Sequence, residues 1–213
     1  MAQTAGNKRR LQAAEKLAAD HEVAATLLER HGAPVLAAGA RGKDRFEALA
    51  SSIAYQQLAG RAAAAIWGRV KECVGEEFTP TAVLERGPEL LRACGLSNAK
   101  VASLLDLAEK SSDGSIELTQ IHKLDDTDVI EHLTLVRGIG PWTAQMFLLF
   151  ELERPDVWPT GDLGVRAGFA RAFGLDEVPT QKQLEPLGDP FSPYRSTMAW
   201  WCWREADTPG GRV

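Results

Sequence analysis

The stretch LVRGIGPWTA, residues Leu135–Ala144, joins two segments whose apolar residues recur at helical spacing. Its two glycines flank Ile139, so the chain can reverse tightly while the isoleucine anchors the turn in the core. Pro141 suits the first turn of the second helix, where free backbone N–H groups and the positive helix end suit a phosphate oxygen. On the turn alone, an ordinary connection between two helices is an equally good interpretation.

Almost every other periodic segment of the chain also has helical spacing. The predicted helices are 8–30, Asp44–Leu58, Ala62–Val74, Ser97–Lys110, a segment through Val136 capped by Asp126, Thr127 and Asp128, and segments starting near Pro80, Pro88, Pro141 and Asp162. Strand patterns are scarce, and no repeat of roughly 20 to 50 residues is evident. The sequence therefore predicts an all-α protein of about nine or ten helices with short connections.

Composition excludes several classes of protein. With 213 residues, of which 45% are hydrophobic and 25% charged, the chain is expected to bury a core, unlike a disordered tail or a disulfide-stapled miniprotein. The three cysteines stand far apart without a CxxC motif, so they cannot build a zinc site or an iron–sulfur cluster alone. We expect them to be reduced thiols in a cytoplasmic protein. No apolar stretch is long enough to cross a bilayer, so no membrane partner is expected.

The net charge of −5 argues against a nucleic-acid partner, but the charge is distributed unevenly. Residues 1–71 carry 11 Lys/Arg against 6 Asp/Glu, whereas residues 72–213 carry 13 against 23. Eight of these acids lie between Asp106 and Glu131. A local basic face is therefore compatible with the sequence, although charge alone does not establish one.

A second informative segment is PDVWPTGDLGV, residues Pro155–Val165, in which a loop rich in proline and glycine leads to Asp162 at the start of a helix. Aspartate is among the best N-cap residues. Taken in isolation, a purely structural N-cap is the favoured interpretation of Asp162.

Several motifs in order resemble those of one family. The Gly-Ile-Gly hairpin, followed by a P-x-x-D-x-x-V element around Asp162, resembles the helix-hairpin-helix–GPD superfamily of DNA glycosylases. Three further segments are similar to its 3-methyladenine DNA glycosylase II branch: Ser52–Leu58, Leu91–Ser97 and Pro193–Ser196. The resemblance runs from about Phe46 to Arg204 and is best to compact members without an extra N-terminal domain.

This resemblance implies a fold of two helical subdomains with a DNA-binding cleft between them. The central subdomain would span residues 46–134. The other would combine residues 1–45 with 135–213 and would carry the hairpin and Asp162.

The resemblance also implies a function, namely a monofunctional glycosylase that flips out alkylated purines and hydrolyses their N-glycosidic bond in base excision repair. Its expected substrates are 3-methyladenine and 7-methylguanine, with 1-methyladenine and etheno adducts as a wider range. Asp162 would be the catalytic carboxylate. Trp142 stands where glycosylase–lyases of the family carry a lysine nucleophile, so no lyase activity is expected. The alternatives are a non-catalytic helix-hairpin-helix DNA-binding protein and a glycosylase for oxidised or deaminated bases.

The remaining site residues follow from the same resemblance. Trp142, Met146 and Trp203 would line the base pocket. Gln57, in the loop after the first conserved helix, would fill the gap left by the flipped base, and Gln56 would support that loop. The expected DNA-binding residues are Gln56, Gln57, Gly60, Arg61, Arg137, Gly138, Ile139, Gly140 and Thr143. Arg41, Lys43 and Arg45 either meet phosphates or form solvated surface.

No cofactor is expected to be required. A Na⁺ or K⁺ ion at the hairpin is implied by the resemblance alone, held by main-chain oxygens of Thr134, Val136 and Ile139. The expected partner is double-stranded DNA containing alkylated bases. The protein is expected to be a cytoplasmic monomer located with the nucleoid or chromosomal DNA.

Overall fold

The computed structural model describes residues 2–35, 45–58 and 60–208. Within these ranges the chain is all helical and contains no strand, which confirms the predicted fold class. The helices are α1 (Ala2–Asp20), α2 (Glu22–His31), α3 (Arg45–Tyr55), α4 (Gly60–Val74), α5 (Pro80–Ala93), α6 (Asn98–Ser112), α7 (Asp126–Thr134), α8 (Pro141–Phe150), α9 (Leu163–Ala172), α10 (Gln181–Leu187) and α11 (Arg195–Asp207). Two short 3₁₀ turns lie at Ile121–Lys123 and Asp189–Phe191.

The chain divides into two compact units. Unit 1 comprises Met1–Gly39 and Glu153–Val213, and unit 2 comprises Ala40–Leu152. This division corrects the expected boundary after residue 134, because the hairpin and α8 belong with the central helices and not with the chain ends. The reason is local packing: α8 lies against α7, and the hairpin backbone is bound to α6 through the Arg137 N–H, which donates to Asp106 Oδ2 at 2.7 Å.

Two helix boundaries, at His21 and Asp125, differ from the sequence prediction, whereas the predicted helix start near Pro88 is confirmed. The segment 8–30 is two helices, because His21 is extended (φ −138°, ψ 119°) and interrupts the hydrogen-bonded ladder. Helix α5 bends at Gly87, whose φ of +70° lets Pro88 start a second helical segment. The N-cap of α7 is Asp125, whose carboxylate accepts from the Asp128 N–H at 2.9 Å, and not one of the three residues that follow it.

The core of unit 1 forms where α9 and α11 pack closely together. Trp201 and Met198 on α11 are fully buried, as is Val165 on α9. The two backbones touch at Gly168: a Cβ built there would lie 1.7 Å from the Cys202 carbonyl oxygen. Only glycine permits this approach, and the approach places the first turn of α9 beside α11.

The three cysteines are free thiols, as expected from their spacing. Cys94 and Cys202 are buried, and burial raises the pKa of Cys94 to about 11 and that of Cys202 further. Both are therefore held in the unreactive protonated form.

None of the helices in the described ranges combines the length and the apolar character needed to cross a membrane.

A buried carboxylate connects three helices of unit 1. Glu205 on α11 is 2% exposed, and its Oε1 accepts from Arg30 Nη1 at 2.5 Å and pairs with His31 Nε2 at 2.7 Å, both on α2. Arg171 on α9 lies 3.9 Å from Oε2. Desolvation opposes ionisation, but the hydrogen bonds from His31 and Arg30 outweigh it and lower the pKa of Glu205.

This cluster makes the stability of the protein depend on pH. Since the folded pKa of Glu205 is lowered, its contribution is complete above the unfolded value of about 4.3 and is lost as the pH falls through the folded value. We expect Glu205→Gln to lower the free energy of unfolding by about 1–3 kcal/mol near neutral pH. The difference from the wild type should shrink as the pH approaches about 3 in thermal melts. The exposed Glu109→Gln is the control; a difference that stays constant with pH would contradict this prediction.

Candidate active site and nucleic-acid interface

The hairpin between α7 and α8 has the geometry that its sequence predicts. Gly138 has a φ of +77°, and a Cβ added to it would lie 2.4 Å from Ser103 Oγ, so this position requires glycine. Ile139 is 4% exposed and anchors the turn in the core. Its N–H donates to the Val136 carbonyl at 3.1 Å, which closes the turn.

Asp106 on α6 binds the backbone of this hairpin. Its Oδ2 accepts from the Arg137 N–H at 2.7 Å, while its Oδ1 accepts from Lys110 one turn further along α6. Partial burial raises the pKa of Asp106, but the hydrogen bonds from Lys110 and the Arg137 N–H lower it by more. The carboxylate therefore stays ionised and holds the hairpin backbone, while the side chain of Arg137 is exposed.

The first two turns of α8 carry two of the predicted pocket residues, Trp142 and Met146. Pro141 is the first helical residue, as predicted, and the N-cap Gly140 has no side chain to satisfy the helix end. An uncapped positive helix end attracts an anion such as phosphate. Trp142 is 46% exposed, and Met146 is partly buried one turn further on.

Thr143, predicted to bind DNA, is buried. Like Ile139, it can therefore reach a DNA strand only through its backbone.

The predicted cation site at the hairpin consists of main-chain oxygens of Thr134, Val136 and Ile139. Hard oxygen donors are the type that Na⁺ and K⁺ take, so this donor set suits such an ion. One of these oxygens, that of Val136, also accepts the Ile139 N–H at 3.1 Å. Over the part of the chain that the structure describes, no group of three or more His, Cys, Asp or Glu side chains could hold a metal ion. The cation therefore stays a prediction that rests on the main chain.

The turn that follows α3 carries Gln57, the residue predicted to fill the gap left by the flipped base and called the plug below. Gln57 is exposed and has a φ of +54°, a left-handed conformation that is uncommon for a glutamine. The Leu58 N–H donates to the Tyr55 carbonyl at 3.3 Å and closes the turn around it. The side chain of Gln56 points elsewhere: its Nε2 donates to the Gly138 carbonyl of the hairpin at 3.0 Å.

The basic residues predicted near this turn have different surroundings. Gly60 and Arg61 begin α4 and are exposed, so they are accessible to a DNA strand. Arg45 instead donates from Nη1 to the carbonyls of Leu118 and Thr119 at 2.7 Å each and thus holds a loop of unit 2. Arg41 and Lys43 lie outside the described residues.

Asp162, in unit 1, is the N-cap of α9, and its carboxylate also accepts a hydrogen bond from outside that helix. Its Oδ1 accepts from the Val165 N–H at 2.9 Å, which is the capping bond expected from the sequence. The same oxygen accepts from the indole N–H of Trp203 on α11, also at 2.9 Å. The carboxylate is partly exposed. Two donors on one oxygen hold the carboxylate in a single orientation.

Gly164 makes the contact between Asp162 and Trp203 possible. A Cβ at this position would lie 2.9 Å from Trp203 Cδ1 and 3.1 Å from Asp162 Oδ1. Any larger residue would therefore push the indole away from the carboxylate. Sequence reasoning misses this role, because nothing in the sequence indicates that Trp203 lies against the first turn of α9.

The loop that leads to Asp162 is bound to the start of α11 by an ion pair. Arg195 donates from Nε and Nη2 to the two carboxylate oxygens of Asp156 at 2.9 and 2.8 Å. The Ser192 hydroxyl donates to the same carboxylate at 3.0 Å. Although desolvation raises the pKa of Asp156, the bonds from Arg195 and Ser192 lower it by more. Bidentate pairs of this kind hold their partners in a defined geometry, so the loop has a stable base.

Comparison with known proteins shows which family carries these features. Residues 50–193 match the HhH-GPD superfamily of base excision DNA repair proteins. The chain is 36% identical to DNA-3-methyladenine glycosylase 1 of Schizosaccharomyces pombe over 76% of its own length and 72% of that protein. It is 35% identical to the DNA-3-methyladenine glycosylase of Saccharomyces cerevisiae over 78% of its own length and 68% of that protein.

Two solved structures resemble the fold closely. The 3-methyladenine DNA glycosylase of S. pombe in complex with abasic DNA superposes with a TM-score of 0.81 at 33% identity, covering 91% of this chain and 95% of that one. A DNA-3-methyladenine glycosidase from Bacillus halodurans gives 0.81 at 34% identity, covering 90% and 87%. The matched region contains both the hairpin and Asp162, and the chain belongs to the HhH-GPD superfamily of base excision DNA repair proteins.

Proposed function

We propose that this protein is a monofunctional DNA glycosylase that binds double-stranded DNA and hydrolyses the N-glycosidic bond of alkylated purines, leaving an abasic site. The observation that carries the proposal is the Asp162 carboxylate, held on one oxygen by the Val165 N–H and the Trp203 indole. Its family membership and the names of its relatives, DNA-3-methyladenine glycosylases, support the same activity.

The chemistry of base excision suits a single ionised carboxylate. Breaking the bond between C1′ and the base nitrogen leaves positive charge on the sugar, as in other glycoside hydrolyses. An anionic Asp162 stabilises this charge and orients or deprotonates the attacking water. Purines alkylated at N3 or N7 carry a positive charge and leave readily, so a strong general acid is not required. This explains how one carboxylate suffices.

The other predicted residues supply binding. The hairpin backbone and the uncapped start of α8 bind a phosphate without reading the base sequence. The target base must leave the stack before it can react. Trp142 and Met146 receive it, because the face of an indole attracts a cationic purine by about 1–2 kcal/mol when water is excluded. Gln57 fills the gap that the base leaves.

We further propose that the protein acts as a monomer on chromosomal DNA in the cytoplasm. It needs no cofactor, although a Na⁺ or K⁺ ion bound by the hairpin oxygens would bridge to a phosphate.

The test is a release assay on duplex DNA with single lesions. We expect free 3-methyladenine and 7-methylguanine in the supernatant, with strand breaks only after alkali treatment and no adduct trapped by borohydride. Duplexes with 8-oxoguanine or hypoxanthine distinguish the alternatives. Release of only oxidised or deaminated bases would show that the proposed substrate class is wrong. DNA binding without release of any base would indicate a non-catalytic DNA-binding protein.

The contact between Trp203 and Asp162 gives a more specific prediction. Trp203→Phe keeps an aromatic ring but removes the indole N–H, and Gly164→Ala displaces the indole. Since a hydrogen bond to a charged group contributes about 1.5–3 kcal/mol, the single-turnover rate of base release should fall by roughly ten- to one-hundredfold. Affinity for a duplex with an abasic analogue should change little.

The control for this experiment is Trp200→Phe on the same helix, where Arg204 lies 5.8 Å from the ring centroid. Its rate should match that of the wild type. If Trp203→Phe weakened DNA affinity and left the single-turnover rate unchanged, Trp203 would act only as a pocket wall.

A further inference from the structure

We propose that Gln56 is a positioning residue, which couples the phosphate-binding hairpin to the plug residue Gln57, and that α6 is the common support of both. The inference rests on the proposed function, because it concerns how the DNA-contacting parts of unit 2 are set relative to each other. The central observation is the hydrogen bond from Gln56 Nε2 to the Gly138 carbonyl at 3.0 Å. It joins two turns that are 82 residues apart in the chain.

One face of α6 holds both turns. Lys100 Nζ donates to the Ala54 carbonyl at 2.8 Å. Ser103 lies against Gly138 so closely that a side chain there would clash with its hydroxyl. Asp106 accepts the Arg137 N–H. These three residues are spaced three apart, so they lie along one face of the helix. Consecutive turns of α6 therefore contact first the end of α3 and then the hairpin.

Lys100 stabilises the chain just before the plug. Its ammonium group donates to a carbonyl in the last turn of α3, where unpaired carbonyls and the helix dipole favour a cation. Desolvation by the surrounding protein lowers the pKa of Lys100. Because Lys100 is partly buried and bonded directly to the carbonyl, its contact is more specific than one made by a lysine exposed on a helix surface.

Gln57 has a backbone conformation that needs such support. A glutamine with a φ of +54° is strained, and strained residues persist only where their surroundings impose the conformation. The chain just before Gln57 is held at two points: Lys100 binds the Ala54 carbonyl, and the side chain of Gln56 binds the hairpin. The exposed side chain of Gln57 therefore has a defined direction relative to Gly138.

The functional consequence is preorganisation. A hairpin bound to a phosphate would place the plug at a set distance along the same DNA, so inserting Gln57 would not require the turn to be ordered first. Breaking the Gln56 bond should therefore reduce binding to DNA that has a gap to fill. It should reduce binding to intact duplex far less, since intact DNA needs only the hairpin.

The experiment compares two affinities of each variant: for a duplex with a tetrahydrofuran abasic analogue and for the intact duplex of the same sequence. Gln56→Glu keeps the side-chain size but replaces the donor by a carboxylate that faces a carbonyl. We expect the preference for the abasic duplex to fall by about five- to tenfold, and we expect Gln57→Ala to lower it by the same factor. The double variant should be no worse than Gln57→Ala, because both changes remove the same insertion.

The matched control is Gln120→Glu, an exposed glutamine of unit 2 that makes no side-chain cap contact. It introduces the same charge and should keep the wild-type preference. Gln56→Leu, which removes the donor without adding charge, provides a second test if Gln56→Glu does not fold. Lys100→Met tests the other attachment and should lower the preference in the same direction.

Three results would overturn the proposal: an unchanged preference in the folded Gln56 variants, an unchanged preference in Gln57→Ala, or losses that add fully in the double variant. The first of these results includes a Gln56 variant that weakens both duplexes equally, because this indicates a purely structural role. These affinities are measured without base release. A protein that released no alkylated base would refute the proposed function, while the binding ratios would still decide the coupling.

Discussion

Asp162→Asn is expected to abolish most base release while leaving the fold and DNA binding intact. Asparagine caps helices as well as aspartate does, and its Oδ1 can still accept from the Val165 N–H and the Trp203 indole. What is lost is the negative charge beside the sugar. Groups that stabilise charge or transfer protons in this way contribute about 10²- to 10⁴-fold to the rate. Single-turnover release of 7-methylguanine should fall by that factor.

The chain offers a matched control for this variant. Asp125 caps α7 by the same geometry, accepting from the Asp128 N–H at 2.9 Å, and it is exposed. Asp125→Asn therefore makes the same chemical change at a cap that has no proposed catalytic role, and its release rate should equal that of the wild type. If the two variants released the base equally fast, Asp162 would be only a helix cap.

The largest effect on stability is expected for Gly168→Ala. A Cβ at this position would lie 1.7 Å from the Cys202 carbonyl oxygen and 2.4 Å from its carbon, so α9 and α11 would have to separate. Overpacking of backbone against backbone at the main contact of unit 1 should cost more than about 3 kcal/mol. For a chain of this size, the melting temperature should fall by roughly 6–12 °C. Base release should fall too, since Asp162 precedes α9 and Trp203 lies on α11.

Gly68→Ala is the control for this prediction. Gly68 lies in α4, and an added Cβ there would have nothing within 4 Å, so alanine adds helix propensity without a clash. The variant should be up to about 1 kcal/mol more stable than the wild type. Equal melting temperatures for Gly168→Ala and the wild type would contradict the close approach of the two helices.

Local sequence signals predict those features whose cause is itself local. The hairpin follows from two glycines around an apolar residue, and Ile139 is buried as that pattern requires. Ser97 and Asp162 cap their helices because a side-chain oxygen accepts from an N–H three residues on. The break at His21 escapes prediction because neither glycine nor proline marks it. There the partners are distant: the ring pairs with the Pro190 carbonyl and packs against Phe191.

The site residues show the same limit. The motif around Asp162 identifies it as a candidate, but nothing in that motif indicates that Trp203 binds the same oxygen or that Gly164 makes room for it. The sequence predicts that Gln56 contacts DNA and supports the loop of Gln57, but it does not predict that the Gln56 amide binds the hairpin. The spacing of Lys100, Ser103 and Asp106 can be read from the sequence, but only the structure shows that Ser103 is buried and which groups the other two bind.

The sequence by itself determined the helical class, the hairpin, the capping aspartate and the resemblance to one family, because these depend on residue spacing and backbone preference within short segments. Only the tertiary structure decided that the hairpin belongs with α6 and α7, that Glu205 is buried among cations, and that Gln56 joins two turns. These contacts connect residues far apart in the chain. Which polar group meets which depends on how the apolar faces of the helices pack, and that is a property of the whole folded unit.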